Sequence, residues 1–526
     1  MHLHRPRPPS YPRGSRPRRR RAPAGSVSVF RKHSSEETET PVAEVRQGAP
    51  ERAPEKTIGG VDRFFRITER GSDFATEIRG GLVTFVTMAY IVILNPIILT
   101  SGADIEGNTL DFQAVSAVTA LTAGVMTILF GLVSRLPFGF AAGLGINAFL
   151  AFSVVGQVTW PEAMALVVIN GVLIVLLAAT GLRRMIFDAV PVELKLAITV
   201  GIGLFIAFIG FVNAGFVTST GNPSPPVGLG VGGSILTIPT LIFVVTLVLT
   251  AVLMAAKVKG GLLIGLVSGT VISVIVESIW HLGAAVDNPG GWGLTVPALG
   301  SAPFSIPDFG LVGAISFDLG RVGVVTVVML VFTLLFTNFF DAMGTMTGLS
   351  REAGLADENG NFPNLKSALV VEGFGAIAGG FTSSSSNTVF IESGAGIGEG
   401  ARTGFANLIT GGMFLLAMFF TPLTQIVPTE VAAAALVLVG ALMMAQIKHI
   451  DLGDFRVLLP VFLTVAVMPM TYSIANGIGA GFVSWVLVHA LSGRAKRIHW
   501  LLWIVAAGFV LFFARGPIEA MLGVTG

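Results

Sequence analysis

Long apolar stretches follow one another from Gly81 onward, separated by short polar or Gly- and Pro-rich breaks. Because a membrane-spanning helix needs about 20 mostly apolar residues, this pattern predicts fourteen membrane segments. Their predicted starts lie near residues 81, 114, 142, 162, 196, 238, 261, 323, 366, 385, 403, 430, 456 and 473. The pieces near 142, 366 and 385 are too short or too polar to be full lipid-facing helices. A further apolar stretch, 499–514, could cross the membrane, lie at its surface or pack on the bundle.

The composition agrees with an all-α polytopic membrane protein. Of 526 residues, 52% are hydrophobic and only 12% are charged, whereas about 25% are charged in an ordinary soluble protein. Cysteine is absent, which excludes disulfides, thiolate metal sites and cysteine nucleophiles. The chain has no GxxxxGKS/T phosphate loop, which excludes an ATP-driven pump on one chain. We expect no cofactor, no bound metal, no nucleic-acid partner and no enzymatic activity.

Basic residues collect on one side of the predicted bundle. The loops after the odd-numbered segments contain only Arg321. The loops after the even-numbered segments contain Arg135, Arg183, Arg184, Lys195, Lys257, Lys259, Arg351, Lys366, Arg402, Lys448, Arg456, Arg494, Lys496 and Arg497. Because cytoplasmic loops carry the excess of Lys and Arg, we predict a multi-pass protein of the cell (plasma) membrane with a cytoplasmic N-terminus.

Fourteen segments divide into two halves of seven, and an odd number per half gives the second half the inverted orientation. The predicted organisation is a disordered basic N-terminal tail (1–60), a first inverted repeat (61–281), an extracellular connection (282–322), a second inverted repeat (323–490) and a basic loop with the C-terminal apolar segment (491–526). At an offset of 240 residues, GLGINAFLAF falls on SSSSNTVFIE, and Asn147 falls on Asn387. Secondary transporters are commonly built from inverted repeats, with the site on discontinuous helices near the bilayer midplane.

The stretch from Thr382 to Arg402 places four consecutive serines, Asn387, Thr388 and Glu392 among glycines. A bilayer supplies no water to such groups, so they are tolerated only where they line a cavity or are buried in protein. An ionised carboxylate at the centre of a membrane helix costs about 2.5 to 3.5 kcal/mol, and no Lys or Arg lies inside a predicted segment to pair with it. We therefore predict that Glu392, Asn387 and Thr388 contact a substrate.

The eighth predicted segment contains Asn338 and Asp341, which are three residues apart and share one helix face. Two carboxylates in one low-dielectric cavity repel each other, which favours proton binding by one of them. Asp341 is therefore the predicted proton carrier. Asn338 is expected to bind substrate, with an interhelical hydrogen bond as the alternative. Asn147 follows GLG, where we expect a broken backbone, and its amide can donate and accept hydrogen bonds at once.

Other acidic residues are less informative. Glu372 could face the same cavity or support the short ninth segment. Glu352, Glu399 and Asp188 lie in or beside inner loops and are predicted to be ordinary solvated charges.

Several ordered motifs together resemble the AzgA-like adenine, guanine and hypoxanthine permeases, a branch of the nucleobase transporters with the uracil-permease fold. The motifs are GLGINAF, TNFFDAMGT, SSSSNTVFIESGAG, GARTGFANL and PMTYSIANGIGAGFVSW, and the likeness covers roughly residues 61–515. The resemblance implies a seven-plus-seven inverted repeat, a core domain and a gate domain, and short strands leading into half-helices in segments 3 and 10. It also implies proton-coupled purine uptake, with Asn147, Asp341 and Glu392 at positions used for binding and coupling.

The chain departs from the family pattern at two positions. Asn338 stands where the family usually has an acid, and Phe390 stands where a Tyr is expected.

The predicted function is therefore import of a purine nucleobase by proton symport across the lipid bilayer. Asn147, Asn338, Asn387, Thr388 and Glu392 are the predicted substrate-binding residues, and Asp341 is the predicted proton-coupling residue. The alternatives are an anion or other small-solute transporter of the same fold and a membrane enzyme or receptor that transports nothing. The working unit could be a homodimer.

Overall fold

The computed structural model describes residues 59–180, 189–293, 295–298, 303–356 and 362–514. Most of the predicted N-terminal tail lies outside the described residues, as do Arg183, Arg184 and Asp188. The helices are α1 (Gly60–Phe65), α2 (Phe74–Met88), α3 (Ile91–Thr100), α4 (Phe112–Ser134), α5 (Leu144–Phe149), α6 (Trp160–Thr180), α7 (Val192–Asn213), α8 (Ile238–Ala255), α9 (Gly261–Trp280), α10 (Val324–Glu352), α11 (Leu365–Phe381), α12 (Ser393–Gly398), α13 (Phe405–Ala417), α14 (Thr429–Met444), α15 (Phe455–Met470), α16 (Ile474–His489) and α17 (Trp500–Phe513). The strands are β1 (Phe140–Ala142), β2 (Val217–Ser219), β3 (Val227–Leu229) and β4 (Asn387–Val389).

Ten helical stretches among the described residues are long and apolar enough to cross a membrane. This confirms the helical, multi-pass architecture. Each of the fourteen predicted segments coincides with a helix or with a strand followed by a short helix. The number that cross the membrane stays a prediction, because several of these elements are shorter than the roughly 30 Å of a hydrocarbon core.

Two predicted segments are interrupted by short strands. The third consists of β1, α5 and a π-helical turn, and the tenth consists of β4 followed by α12. β1 and β4 pair antiparallel, with Phe140 opposite Val389 and Ala142 opposite Asn387. All residues of both strands are buried. The arrangement of a strand followed by a half-helix, which the resemblance implied, is therefore confirmed.

Further hydrogen bonds extend this strand pair in both directions. The Gly143 N–H donates to the Ser386 carbonyl at 2.9 Å, and the Phe390 N–H donates to the Gly139 carbonyl at 3.0 Å. The Gly139 N–H donates to Ser393 Oγ at 2.9 Å. Backbone groups that leave helical geometry inside the bundle thus find partners within the protein, as a bilayer environment requires.

The observed register differs from the offset of 240 residues between the two halves. Asn147 lies in α5, whereas Asn387 lies in β4 and faces Ala142. Asn147 and Asn387 therefore do not occupy equivalent positions. The sequence comparison failed here because it matched small and polar residue types without knowing where each strand ends and each half-helix begins.

The helices pack in two groups that alternate along the chain. In the first group, α6 packs on α11, and α13 packs on α2 and α4. In the second group, α7 packs on α14 and α15, and α8 packs on α9 and α14. Both interrupted segments belong to the first group, because β1 contacts α4 and α12 contacts α2.

The C-terminal helix α17 packs on the bundle. Its 14 residues span about 21 Å at 1.5 Å per residue, which is less than a hydrocarbon core. The Phe509 ring contacts Phe332 of α10 and Phe482 of α16, with ring centroids 5.8 and 6.2 Å apart. Packing against neighbouring helices, one of the three placements left open by the sequence, is therefore observed.

The serines before β4 are held by close packing against α11. Ser383 and Ser385 have φ angles of 60° and 71°, a left-handed backbone conformation that residues other than glycine rarely adopt. A Cβ at Gly379 of α11 would overlap the Ser385 carbonyl oxygen, and one at Gly375 would lie 2.6 Å from the Asn387 carbonyl oxygen. The glycines of α11 therefore let the irregular stretch approach the helix backbone.

We expect Gly379→Ala to reduce the free energy of unfolding by about 1–3 kcal/mol or to prevent folding, because the added methyl group has no space. Gly412→Ala on α13 is the control, since a Cβ there would meet no atom within 4 Å. Thermal unfolding of the purified full-length proteins measures both effects. A Gly379→Ala variant as stable as the wild type would contradict this packing.

Candidate functional site

Glu392 occupies the second interruption, immediately before the half-helix α12. Its Oε1 accepts a 2.5 Å hydrogen bond from the Tyr90 hydroxyl. Tyr90 is buried at the junction between α2 and α3, within the first membrane segment. The Thr87 hydroxyl reaches the Glu392 backbone carbonyl at 3.3 Å. The first segment therefore orients this carboxylate.

Asn338 on α10 is fully buried and bonded to the stretch before β4. Its Nδ2 donates to Ser386 Oγ at 3.0 Å, and Ser386 also accepts from the Gly143 backbone. The Asn338 Oδ1 atom has no hydrogen-bond partner among the described residues. The structural hydrogen bond weighed as an alternative for Asn338 is thus present, and it leaves one acceptor open.

Other buried polar atoms beside the strand pair lack partners in the part of the chain that the structure describes. Both amide atoms of Asn147 are unpartnered, although the residue is fully buried. Asn387 donates to Ser384 Oγ and the Ser385 carbonyl, each at 3.1 Å, but its Oδ1 is unpartnered. Buried polar groups normally have partners, so these atoms are available to a bound molecule.

Three carboxylates, Asp341, Glu372 and Glu392, lie near the strand pair, and Asp341 is close enough to each of the other two for their charges to interact. Asp341 on α10 is half-buried and lies within electrostatic range of Glu392. Glu372 on α11 is buried, faces the Thr388 hydroxyl and lies within range of Asp341. Neither Glu372 oxygen has a hydrogen-bond partner among the described residues. Of the two roles open to Glu372 from the sequence, this placement favours facing the cavity.

The structure brings the six predicted site residues into one region. The helix α10, which carries Asn338 and Asp341, contacts α5, β4 and α12. These elements carry Asn147, Asn387 and Thr388, and Glu392 immediately precedes α12. The region combines carboxylate acceptors with amides that can both donate and accept.

Glu399 is not the solvated charge that the sequence predicted. Its side chain is only 15% exposed, lies 3.0 Å from the Nε atom of Arg79 and forms an ion pair with Lys259. Arg79 belongs to α2 in the first group of helices, and Lys259 lies between α8 and α9 in the second. Glu399 therefore joins the two groups. The prediction was wrong because the sequence does not reveal that Lys259 lies beside Glu399 in the folded chain.

The sequence interpretation missed two residues that support the site. Tyr90 orients Glu392, and the Asn95 Nδ2 donates to the Ser384 carbonyl at 3.0 Å and to Thr119 Oγ1 at 2.7 Å. Both carried a weak signal. The chain has only three tyrosines, and Asn95 interrupts the otherwise apolar helix IVILNPIILT.

Comparisons with known proteins agree with this architecture. A family model described as "Permease family" matches residues 75–480, which include both interrupted segments. The guanine/hypoxanthine permease PbuG of Bacillus subtilis is 39% identical over 457 residues, covering 86% of this chain and 98% of that protein. The chain belongs to the AzgA-like nucleobase permease family. The permease is also 32% identical over 465 residues to the adenine permease AdeQ of Escherichia coli, covering 86% of the permease and 96% of AdeQ.

The permease shares its fold with a solved membrane transporter. The transmembrane domain of the cyanobacterium bicarbonate transporter BicA superposes with a TM-score of 0.52 at 17% identity, covering 77% of the permease and 96% of that chain. This likeness concerns the fold alone, and it confirms the fold class that the resemblance implied.

We expect Asn95→Leu to lower the free energy of unfolding by about 1–3 kcal/mol, because the buried Ser384 carbonyl loses its donor. Asn170→Leu on α6 is the matched control. Asn170 is also fully buried, but neither of its amide atoms has a partner among the described residues. Thermal unfolding compares the two variants, and equal losses of stability would show that the bonds of Asn95 have no special importance.

Proposed function

We propose that the permease is a secondary active transporter that imports purine nucleobases by proton symport. Its relatives at 39% and 32% identity are named a guanine/hypoxanthine permease and an adenine permease. The proposal rests above all on one observation: Glu392, oriented by Tyr90, lies in a region with buried amide atoms that lack partners.

This set of groups suits a neutral heterocycle. A purine presents N–H donors and ring-nitrogen or carbonyl acceptors along its edge, so its recognition needs acceptors and donors together. Glu392 would accept from a ring N–H, and Asn147 would donate and accept through its two open amide atoms. Asn338 would offer its open Oδ1, and Asn387 and Thr388 would complete the polar wall. An anion would instead favour a fixed cation, and no Lys or Arg lies in either interrupted segment.

Asp341 is the proposed proton carrier. It is half-buried on α10 and within electrostatic range of Glu392, so binding of a proton at one site changes the field at the other. A proton gradient drives uptake only if protonation changes the affinity for substrate or for one facing state. Asn338 stands in place of the usual acid of this family, so Asp341 is the one carboxylate that α10 carries before Glu352 at its C-terminal end.

Alternating access would come from movement of the first group of helices against the second. The first group carries both interrupted segments of the proposed site, and the ion pair between Glu399 and Lys259 connects it to the second. We propose that the two groups act as core and gate domains, that the fourteen segments form a seven-plus-seven inverted repeat in the cell membrane, and that the N-terminus is cytoplasmic.

Uptake of radiolabelled hypoxanthine and adenine into cells that make the permease tests the proposal. We expect Glu392→Gln to lower the apparent affinity for purine at least tenfold, because the variant loses the charged acceptor, whose hydrogen bonds are worth about 1.5–3 kcal/mol. Glu430→Gln is the control, since Glu430 is a buried carboxylate on α14 that accepts from the Gly293 backbone instead. No uptake by well-folded wild-type protein would refute the transporter, and unchanged purine affinity in Glu392→Gln would refute its assigned role.

Proton coupling gives a separate expectation. A protonophore should abolish accumulation by the wild type, whereas Asp341→Asn should still bind and exchange purine but fail to concentrate it. Asp308→Asn, at an exposed carboxylate in the connection before α10, should behave as the wild type. Accumulation that resists the protonophore would contradict proton symport while leaving purine transport intact.

A further inference from the structure

A basic pocket lies beyond the C-terminal end of α16. It is formed where α16 ends, the loop 490–499 turns back, α17 begins and the chain enters α7. The cavity measures about 720 Å³, a size typical of sites for small molecules. We call it the basic pocket, lined by Trp485, His489, Arg494, Lys496, Arg497 and His499.

Three permanent positive charges face this cavity with little to neutralise them. Lys496 and Arg497 have no acidic partner among the described residues. Arg494 lies 3.8 Å from Asp454, but Asp454 is already held by Arg456 at 2.7 Å. The hydrogen bonds from Arg456 lower the pKa of Asp454 to about 2, so Asp454 stays ionised and its charge is matched by Arg456. The pocket therefore keeps a net positive charge.

The two histidines of the pocket have defined hydrogen-bonding roles. The His489 Nδ1 atom lies 3.0 Å from the Trp485 carbonyl oxygen, which only accepts, so Nδ1 carries a proton. His499 Nδ1 accepts from the Leu501 backbone at 3.3 Å, so its proton is on Nε2. The His489 ring also stacks on Trp485 at 4.3 Å. His499 thus keeps an N–H donor on the ring edge away from α17.

An apolar surface adjoins the pocket along α17. Trp500, Ile504 and Leu511 are 56%, 59% and 55% exposed, as expected for side chains that face lipid. Trp residues are enriched where the bilayer meets water, and Trp500 both lines the pocket and begins this surface. A molecule with a phosphate in the pocket could therefore lay an apolar chain along α17.

We propose that the basic pocket binds a phosphate-bearing anion, and specifically the head group of an anionic glycerophospholipid. Arginine forks and a lysine are the side chains that proteins use for phosphate, and basic pockets between membrane helices bind lipid head groups. The excess of basic residues on cytoplasmic loops explains the charge of this loop, but it does not require a cavity with aromatic walls beside an exposed apolar helix.

Native mass spectrometry of the delipidated full-length permease tests the proposal, with phosphatidylglycerol and phosphatidylcholine as the added lipids. We expect the wild type to retain one phosphatidylglycerol at least tenfold more tightly than phosphatidylcholine. The triple variant Arg494→Gln, Lys496→Gln, Arg497→Gln should lose this preference, because each basic residue near an anionic lipid contributes about fivefold. The single variant Lys496→Gln should lose about fivefold, which keeps the test available if the triple variant folds poorly.

The matched control removes three exposed charges elsewhere on the predicted cytoplasmic side, with Lys257→Gln, Arg351→Gln and Lys366→Gln. It should retain the preference for phosphatidylglycerol. Competition with glycerol 3-phosphate distinguishes a membrane lipid from a soluble phosphate ester as the ligand. Phosphatidylglycerol that stays bound in its presence supports the lipid. Displacement of phosphatidylglycerol would show that the pocket binds a soluble phosphate ester and would overturn the lipid assignment. Equal binding of the two lipids, or a triple variant that binds phosphatidylglycerol as the wild type does, would overturn the proposal.

Discussion

The structure depends on the pairing of two short strands inside a helical bundle. A bilayer supplies no partners for backbone N–H and C=O groups, so a chain that leaves helical geometry at this depth must pair with itself. β1 and β4 meet this requirement together, and bonds through Gly139, Gly143 and Ser386 extend their ladder. Neither strand could exist in this environment without the other. The glycines of α11 and the amide of Asn95 then fix the stretch that leads into β4.

The proposed substrate site beside this strand pair contains both polar groups with hydrogen-bond partners and polar groups without them. Tyr90 holds one oxygen of Glu392, and Ser386 holds one side of Asn338, so these side chains have defined orientations before any ligand arrives. The Asn147 amide has no such partner among the described residues. A preorganised acceptor beside unpartnered amides favours a ligand that brings its own donors and acceptors, because burial of unpaired polar groups costs free energy.

Side chains join the two groups of helices at several positions. At one position Glu399 joins Arg79 to Lys259, and at another Phe152 of the third segment contacts Phe205 of α7, with ring centroids 6.5 Å apart. The proposed phosphate site lies at the beginning of α17. A head group bound there would therefore contact α17, whose Phe509 packs on α10, the helix that carries Asp341, and on α16.

The lengths of the apolar stretches by themselves determined the helical, multi-pass character of the chain. The length of an apolar stretch is a local property of the sequence, and it must match the thickness of the bilayer core. Local composition was also enough to predict where the third and tenth segments are interrupted, and it marked Glu392 and Asp341 as candidate site residues, since polar side chains at membrane depth are expensive wherever they occur. Tertiary structure alone decided the strand register, the separation of Asn147 from Asn387 and the partners Tyr90 and Asn95. It also decided the burial of Glu399. These features depend on which distant segments meet, and hydrogen bonds between residues some 300 positions apart, such as Tyr90 with Glu392, leave no periodic signal along the chain.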